Sequence, residues 1–271
     1  MQRLRFVAIG LSIRLSVFGL SLGLSQIMVS TVFAADWQRP DYIRQAFVDI
    51  ALNNEYDKRA QRVRKWLIPI NLHIEHRVAD EARHQQLVQM HVSHLQQITG
   101  HPIALVPDAE LANVHLVFTR QVWWQADVLR LMGPQAVEHL HGAVCIAHME
   151  VNARSEITRA FVVIPVDQAN MQGKLLACVV EELTQIMGLP NDSDAVFPSI
   201  FNDKTPETLL TGLDGVLLEL LYSRELLVGM TAAQAQPVIT QLLGQWQADG
   251  HLALAEKRIR QGQLYPLLGY R

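Results

Sequence analysis

The sequence has no Gly-rich phosphate loop, no Gly-x-Ser-x-Gly elbow and no Cys-x-x-Cys pair. Nucleotide-cradling, serine-hydrolase and dithiol chemistries therefore find no support in it. An excess of positive charge is missing too. Lys and Arg number 23 against 26 Asp and Glu, a formal charge of −3, which gives no electrostatic footing for nucleic acid. After residue 34 there is no apolar run long enough to span a membrane. Internal repeats and low-complexity linkers are also absent. What is present is apolar bulk: 49% of 271 residues are hydrophobic. That suffices for a sizeable core in one large domain, or one domain with a helical appendage.

Residues 1–34 have the make-up of a secretory signal. Arg3 and Arg5 form a positive start, an apolar stretch broken by Arg14 runs to Phe33, and Val32-Phe33-Ala34 offers a small-x-small cleavage site. The expectation is an exported protein, periplasmic or secreted, with no membrane span once the signal is removed. An uncleaved N-terminal anchor is the alternative, since the stretch approaches the ~20 residues that span a bilayer. No cysteine near the cleavage site points to a lipid anchor. Cleavage leaves 20 basic against 26 acidic residues, a mildly acidic body. Only two cysteines occur, Cys145 and Cys178. In an exported chain such a pair favours a disulfide over two buried free thiols, and closing a loop of roughly 30 residues contributes about 3–4 kcal/mol in the chain-entropy model.

Periodicity predicts strand, helix, strand as the opening arrangement. Ile43, Phe47, Ile50 and Ala51 are spaced for a helix over Tyr42–Ala51, and a charged stretch follows over Glu55–Arg64. Trp66–Ile74 reads as a strand with Pro69 near its start or on an edge. Residues 80–99 are helical and stop at Gly100, while Ile103–Val106 and Val114–Phe118 are short strands. A short helix fits Gln125–Met132. Val144–Val151 and Ile157–Val166 read as paired strands about the turn Asn152–Glu156, with Pro165 placing the second on a sheet edge. One helix is predicted over Met171–Met187, ended by Gly188-Leu189-Pro190. A polar loop over 191–208 leads to a helix at Leu213–Leu221, and amphipathic helices run from about residue 231 to the end. Residues 35–230 thus form the main domain and 231–271 a helical extension.

The informative segment is Glu181-Glu182-Leu183-Thr184-Gln185-Ile186-Met187-Gly188-Leu189-Pro190-Asn191-Asp192. On a helix, Leu176, Val180, Leu183 and Met187 make one apolar stripe, with Cys178, Glu181 and Gln185 opposite and Glu182 beside them. Taken alone this is an amphipathic helix showing a polar face to water. Its continuation resembles the metzincin zinc-peptidase frame His-Glu-x-x-His-x-x-Gly-x-x-His, with Glu181, Gln185 and Asn191 at the ligand positions, Glu182 at the general base and Gly188 at the bend. Pro198-Ser199-Ile200-Phe201 resembles the turn beneath the metal, with Phe201 in place of Met. Leu210-Thr211-Gly212-Leu213-Asp214 and Leu220-Leu221-Tyr222 resemble landmarks of the following helix. More closely, Glu-Glu-Leu-Thr-Gln-x-x-Gly-Leu-Pro-Asn-Asp followed by Ser-Ile-Phe-Asn-Asp is similar to a family of exported bacterial proteins called domain of unknown function number 2927. That likeness carries no established activity.

The resemblance implies an α+β, zincin-like fold: a twisted mixed sheet, an active-site-type helix beneath a cleft, and a helical C-terminal extension. It implies a cleft formed by Glu181, Gln185, Asn191, Asp192 and Ser199, with Glu182 the one catalytic candidate and Gly188, Phe201, Asp214 and Tyr222 in structural roles. Zinc chemistry is not expected. Zinc prefers imidazole and thiolate, whereas Gln185 and Asn191 offer neutral amide oxygens. Without a metal-bound water, a lone carboxylate is a poor activator of water. No cofactor is expected. A hard cation such as calcium held by oxygens of Glu181, Asn191, Asp192, Asp194 and Asp203 is an alternative, against which Asn-Asp-Ser-Asp stands as ordinary turn chemistry. Glu181 and Glu182 diverge by about 100° on a helix and do not flank one glycosidic bond. His139, His141 and His148 have no fixed metal spacing, and His91 and His94 are expected to flank the buried face of the 80–99 helix.

Three functions follow in order. The first is a non-catalytic, peptidase-derived cleft that binds a peptide or protein partner, with Ile157–Val166 as the receiving edge. The second is a diverged hydrolase using Glu182 as acid or base with another metal or none. The third is a structural envelope protein.

Overall fold

The computed structural model describes residues 36–52, 62–204 and 207–270. The expected signal, residues 1–34, and part of the charged stretch lie outside the described residues. Helix α1 (Pro40–Phe47) runs on into a wider π turn over Val48–Leu52. Then follow β1 (Lys65–Trp66), β2 (Ile70–His76), α2 (Glu81–Thr99), β3 (Ile103–Leu105) and β4 (Val114–Thr119). Next come α3 (Gln121–Met132), α4 (Pro134–Val137), β5 (Ile146–Val151), β6 (Glu156–Pro165), α5 (Val166–Met171) and α6 (Leu175–Gln185). After a long loop the chain ends in α7 (Gly212–Tyr222), α8 (Ala232–Ala248) and α9 (Ala255–Ile259). The mixture of helices and a largely parallel sheet agrees with the expected α+β class.

Strands pair in the order β1-β6-β4-β2-β3, all parallel, and β5 pairs antiparallel with β6. Alternation sorts the side chains onto two faces. Leu116, Phe118, Val162 and Ile164 join the main core with α2, α6 and α7, while Val117 and Val163 join Trp124, Val128 and Ala136 of α3 and α4 on the other face. A sheet covered on both sides needs strands that are apolar throughout, which Phe161-Val162-Val163-Ile164 supplies.

Three sequence expectations are corrected. The strand over Trp66–Ile74 is two strands, because Pro69, which has no N–H to give a ladder, falls in the gap between β1 and β2. The helix expected over Met171–Met187 is shorter, α6 at Leu175–Gln185, because Met171 ends the separate helix α5 and Gly173, whose φ is +68°, interrupts the chain between them. Lys174 N–H reaches Ala169 O at 2.7 Å and Gly173 N–H reaches Asn170 O, a Schellman-type stop in which glycine takes the left-handed position. Finally, Ile157–Val166 is not an edge. It is paired by β4 along Ala160–Pro165 and by β5 along Ile157–Val163. Pro165 costs the sheet little because it is the last residue of β6 and leads directly into α5. The edge strand beside it is β5.

The C-terminal helices share the main core. Thr231 and Gln234 form a capping box that starts α8. Ala235, Ile239 and Leu243 of α8 are fully buried, α8 packs on α1, and α9 packs on α7. Ile259 of α9 sits over Gly215 so closely that a Cβ there would meet its side chain at 2.1 Å.

Candidate functional site

A cleft of about 780 Å³ lies between the edge strand β5 and helix α6. Val144–Met149 and Val151 form one wall, and the floor is Lys174, Ala177, Cys178, Glu181, Glu182 and Gln185 of α6 and its start. Wall and floor are covalently joined. Cys145, next to β5, is bonded to Cys178 of α6, with Cα atoms 5.9 Å apart. The choice left open between a disulfide and free thiols is settled as a disulfide.

Helix α6 does not show an ordinary polar face to water. Of its apolar stripe, Val180, Leu183 and, just past its end, Met187 are buried and Leu176 is half-buried, yet Cys178 and Glu182 are buried as well. Glu182 is only 5% exposed, and its Oε2 has no hydrogen-bond partner. Burial, then the neighbouring Glu181 and Asp192, holds its carboxyl well above the usual carboxylate range. Glu181 is pushed up to about 8, by burial first and then by Asp192 and Asp203, with Lys174 opposing. Burial and mutual repulsion thus bias both carboxyls toward the protonated form. Gln185 Nε2 donates to Asp192 Oδ1 at 3.1 Å.

Two residues expected in the cleft do not line it. Asn191 is turned the other way, its Nδ2 donating to Asp49 O at 2.8 Å and its N–H to Ile50 O. It therefore fastens the end of α6 to the π turn after α1. Ser199 is fully buried and donates through Oγ to Asp214 Oδ1 at 2.6 Å. Asp214 also accepts from the N–H groups of Ile200 and Thr211, and with Thr211 forms the capping box of α7. Burial still raises its pKa to about 6, against these lowering bonds.

The remaining landmarks build the support beneath the helix. Phe201 is wholly buried in the main core. Tyr222 Oη donates to Met187 O at 2.9 Å and Trp66 Nε1 to Ile186 O at 2.7 Å, so two aromatic donors satisfy carbonyls freed at the end of α6. Gly188 has φ +115°, and an added Cβ would lie 2.2 Å from Arg64 O. Only glycine fits that bend.

The oxygen donors considered for a hard cation are dispersed. Asp194 pairs with Lys204, Asp192 with Gln185, and Asn191 with backbone. Among the described residues no three His, Cys, Asp or Glu side chains are gathered so as to hold a metal. His139 and His148 line the cleft but His141 does not. His91 and His94 lie in the buried face of α2 itself, not beside it, and His91 Nε2 bonds Thr184 Oγ1 of α6. Burial lowers the His91 pKa to about 3 and that of His94 to about 4. Sequence reasoning missed β5 as the wall of the site. The signal was present: His148 and Glu150 interrupt its apolar residues, whereas β6 is continuously apolar from Ala160 to Pro165.

Together these features define an α+β chain with an acid-lined cleft between a strand edge and a buried helix. The chain belongs to the family described as a protein of unknown function (DUF2927), whose model matches residues 40–241, from α1 into α8. No curated protein matches the chain.

Proposed function

We propose that this is an exported, zincin-like pseudo-peptidase whose cleft binds an extended peptide or protein segment without cleaving it. The observation that carries the reading is the outer edge of β5, which has no strand partner among the described residues and runs along the cleft. A sheet edge presents unpaired N–H and C=O groups, and an extended segment laid beside it satisfies both chains at once. The order of elements around α6, the bend at Gly188 and the Ser199–Asp214 support agree with the zincin-like resemblance.

Hydrolysis through Glu182 is less well supported. A general base must be ionised to take a proton from water, and burial biases Glu182 and Glu181 toward the protonated form. The positions matching the parental ligands hold Glu181 together with two amides, Gln185 engaged with Asp192 and Asn191 with Asp49.

The test is amide hydrogen exchange on the full, oxidised chain with and without a peptide selected from a random library of short peptides. Slower exchange across residues 144–151 on binding is the expected result. A selected peptide that leaves those amides unprotected sinks strand addition, and a measurable loss of intact peptide over time sinks the non-catalytic assignment.

A further inference from the structure

The cleft floor concentrates carboxyl groups to a degree that the overall charge of −3 does not suggest. Glu181 and Glu182 come from α6, Asp192 from the turn after it, and Asp203 and Glu207 from the loop ahead of α7. Arg64 and Lys174 are the basic residues in the described lining. Asp192 accepts from Gln185, but Glu182 is 95% buried, lines the cleft and leaves Oε2 without a donor. A buried oxygen with no donor is costly, and such groups in folded proteins are ordinarily satisfied. Glu182 also lines the cleft, and that is the side from which we take its donor to come.

We propose that the segment occupying this cleft carries an arginine or lysine whose cationic head group pairs with Glu182 and Glu181. The inference rests on the peptide-binding reading above and names the side chain that the site selects. A guanidinium or ammonium on a long apolar stem reaches from a strand edge to a buried floor and brings several N–H donors. A bare divalent ion suits the site less, since no three acidic, His or Cys side chains in the described residues are gathered around a common point.

The electrostatics give this pairing a second signature. Burial biases Glu181 and Glu182 toward the protonated form, and an arriving cation favours the carboxylate form, so binding releases protons. The groups that set this balance are Glu181 and Lys174 on the floor, Asp192 and Asp203 beside it, and Asp214 behind it. His139 and His148 look on from the other lining elements. Affinity is expected to rise with pH between about 6 and 8, where Glu181, pushed up to about 8, is still largely protonated when free.

The experiment uses bead-bound synthetic libraries of short peptides, with the central residue fixed as Arg, Lys, citrulline or Leu and the flanks randomised. They are presented to the full, oxidised chain, and calorimetry of the selected binders in buffers of different ionisation heat counts the protons released. Arg and Lys libraries should yield binders roughly 10- to 100-fold tighter than citrulline or Leu libraries, the range for a charge-assisted hydrogen bond. Glu182→Gln should remove most of that preference and most of the proton release. If Glu182→Gln fails to fold, Glu181→Gln, at a half-buried position, replaces it and should weaken both. Equal binding by all four libraries overturns the cationic anchor and leaves strand addition standing. No binder from any library overturns both.

Discussion

A buried carboxyl that keeps its proton ties folding to pH in a direction fixed by its shift. The native state raises the Glu182 pKa above its ordinary 4.5, so above pH 4.5 the folded chain holds a proton that the unfolded chain releases. Its contribution to stability is full below 4.5 and is lost as pH rises toward the folded pKa. Glu182→Gln has no proton to lose. Its stability relative to the unmodified chain should therefore climb above pH 4.5, by roughly 1.4 kcal/mol per pH unit at most. Urea melts of both proteins between pH 4 and 8 measure this, and a flat difference contradicts it. His91 works the other way: its folded pKa of about 3 costs stability as pH falls below 6.5, and comparing the two proteins at each pH cancels that slope. The sequence made Glu181, Glu182 and Gln185 legible as neighbours off the apolar stripe. It did not show that Glu182 is buried, because burial depends on which distant elements pack around α6. Nor did it show where Asn191 points, since its partners are backbone carbonyls at Asp49 and Ile50.

At the level of elements, the end of α6 is held by contacts that leave no room for substitution. Gly188 combines φ +115° with a backbone carbonyl, Arg64 O, 2.2 Å from where a Cβ would stand. Backbone cannot rotate aside as a flexible side chain can. Gly188→Ala should therefore destabilise the fold by at least the roughly 1–3 kcal/mol of a strained residue, seen as a lower thermal midpoint. An unchanged midpoint means the bend relaxes freely. This bend was legible from Gly188-Leu189-Pro190, as was the end of α2 at Gly100. The interruption at Gly173 was not, because the helical pattern of apolar residues resumes in phase on both sides of it. The edge assignment failed for a related reason. Pro165 suggests an edge by its type alone, whereas a strand-terminal proline leaves no ladder position unfilled.

For the molecule as a whole, the disulfide and the C-terminal helices decide how much of the chain acts as one body. Cys145 and Cys178 close a loop with a sequence separation of 33. Replacing both by Ser should cost about 3–4 kcal/mol by loss of loop-closure entropy, and a thermal melt of Cys145→Ser/Cys178→Ser against the oxidised chain reads it. A double variant as stable as the parent contradicts the estimate. The pairing was legible by count, since only two cysteines exist, though not the fact that it joins the two sides of the cleft. Leu243, Ile259 and Tyr265 lie in the same apolar cluster as Phe47 and Leu213, so the expected extension contributes to the central core. That integration depends on which helices meet in space and has no mark in local periodicity.

The Cys145–Cys178 bridge also restrains the two sides of the cleft against each other, limiting how far wall and floor can part. On the binding role proposed above, the docking segment meets a mould rather than a hinge, and less ordering entropy of its host remains to be lost.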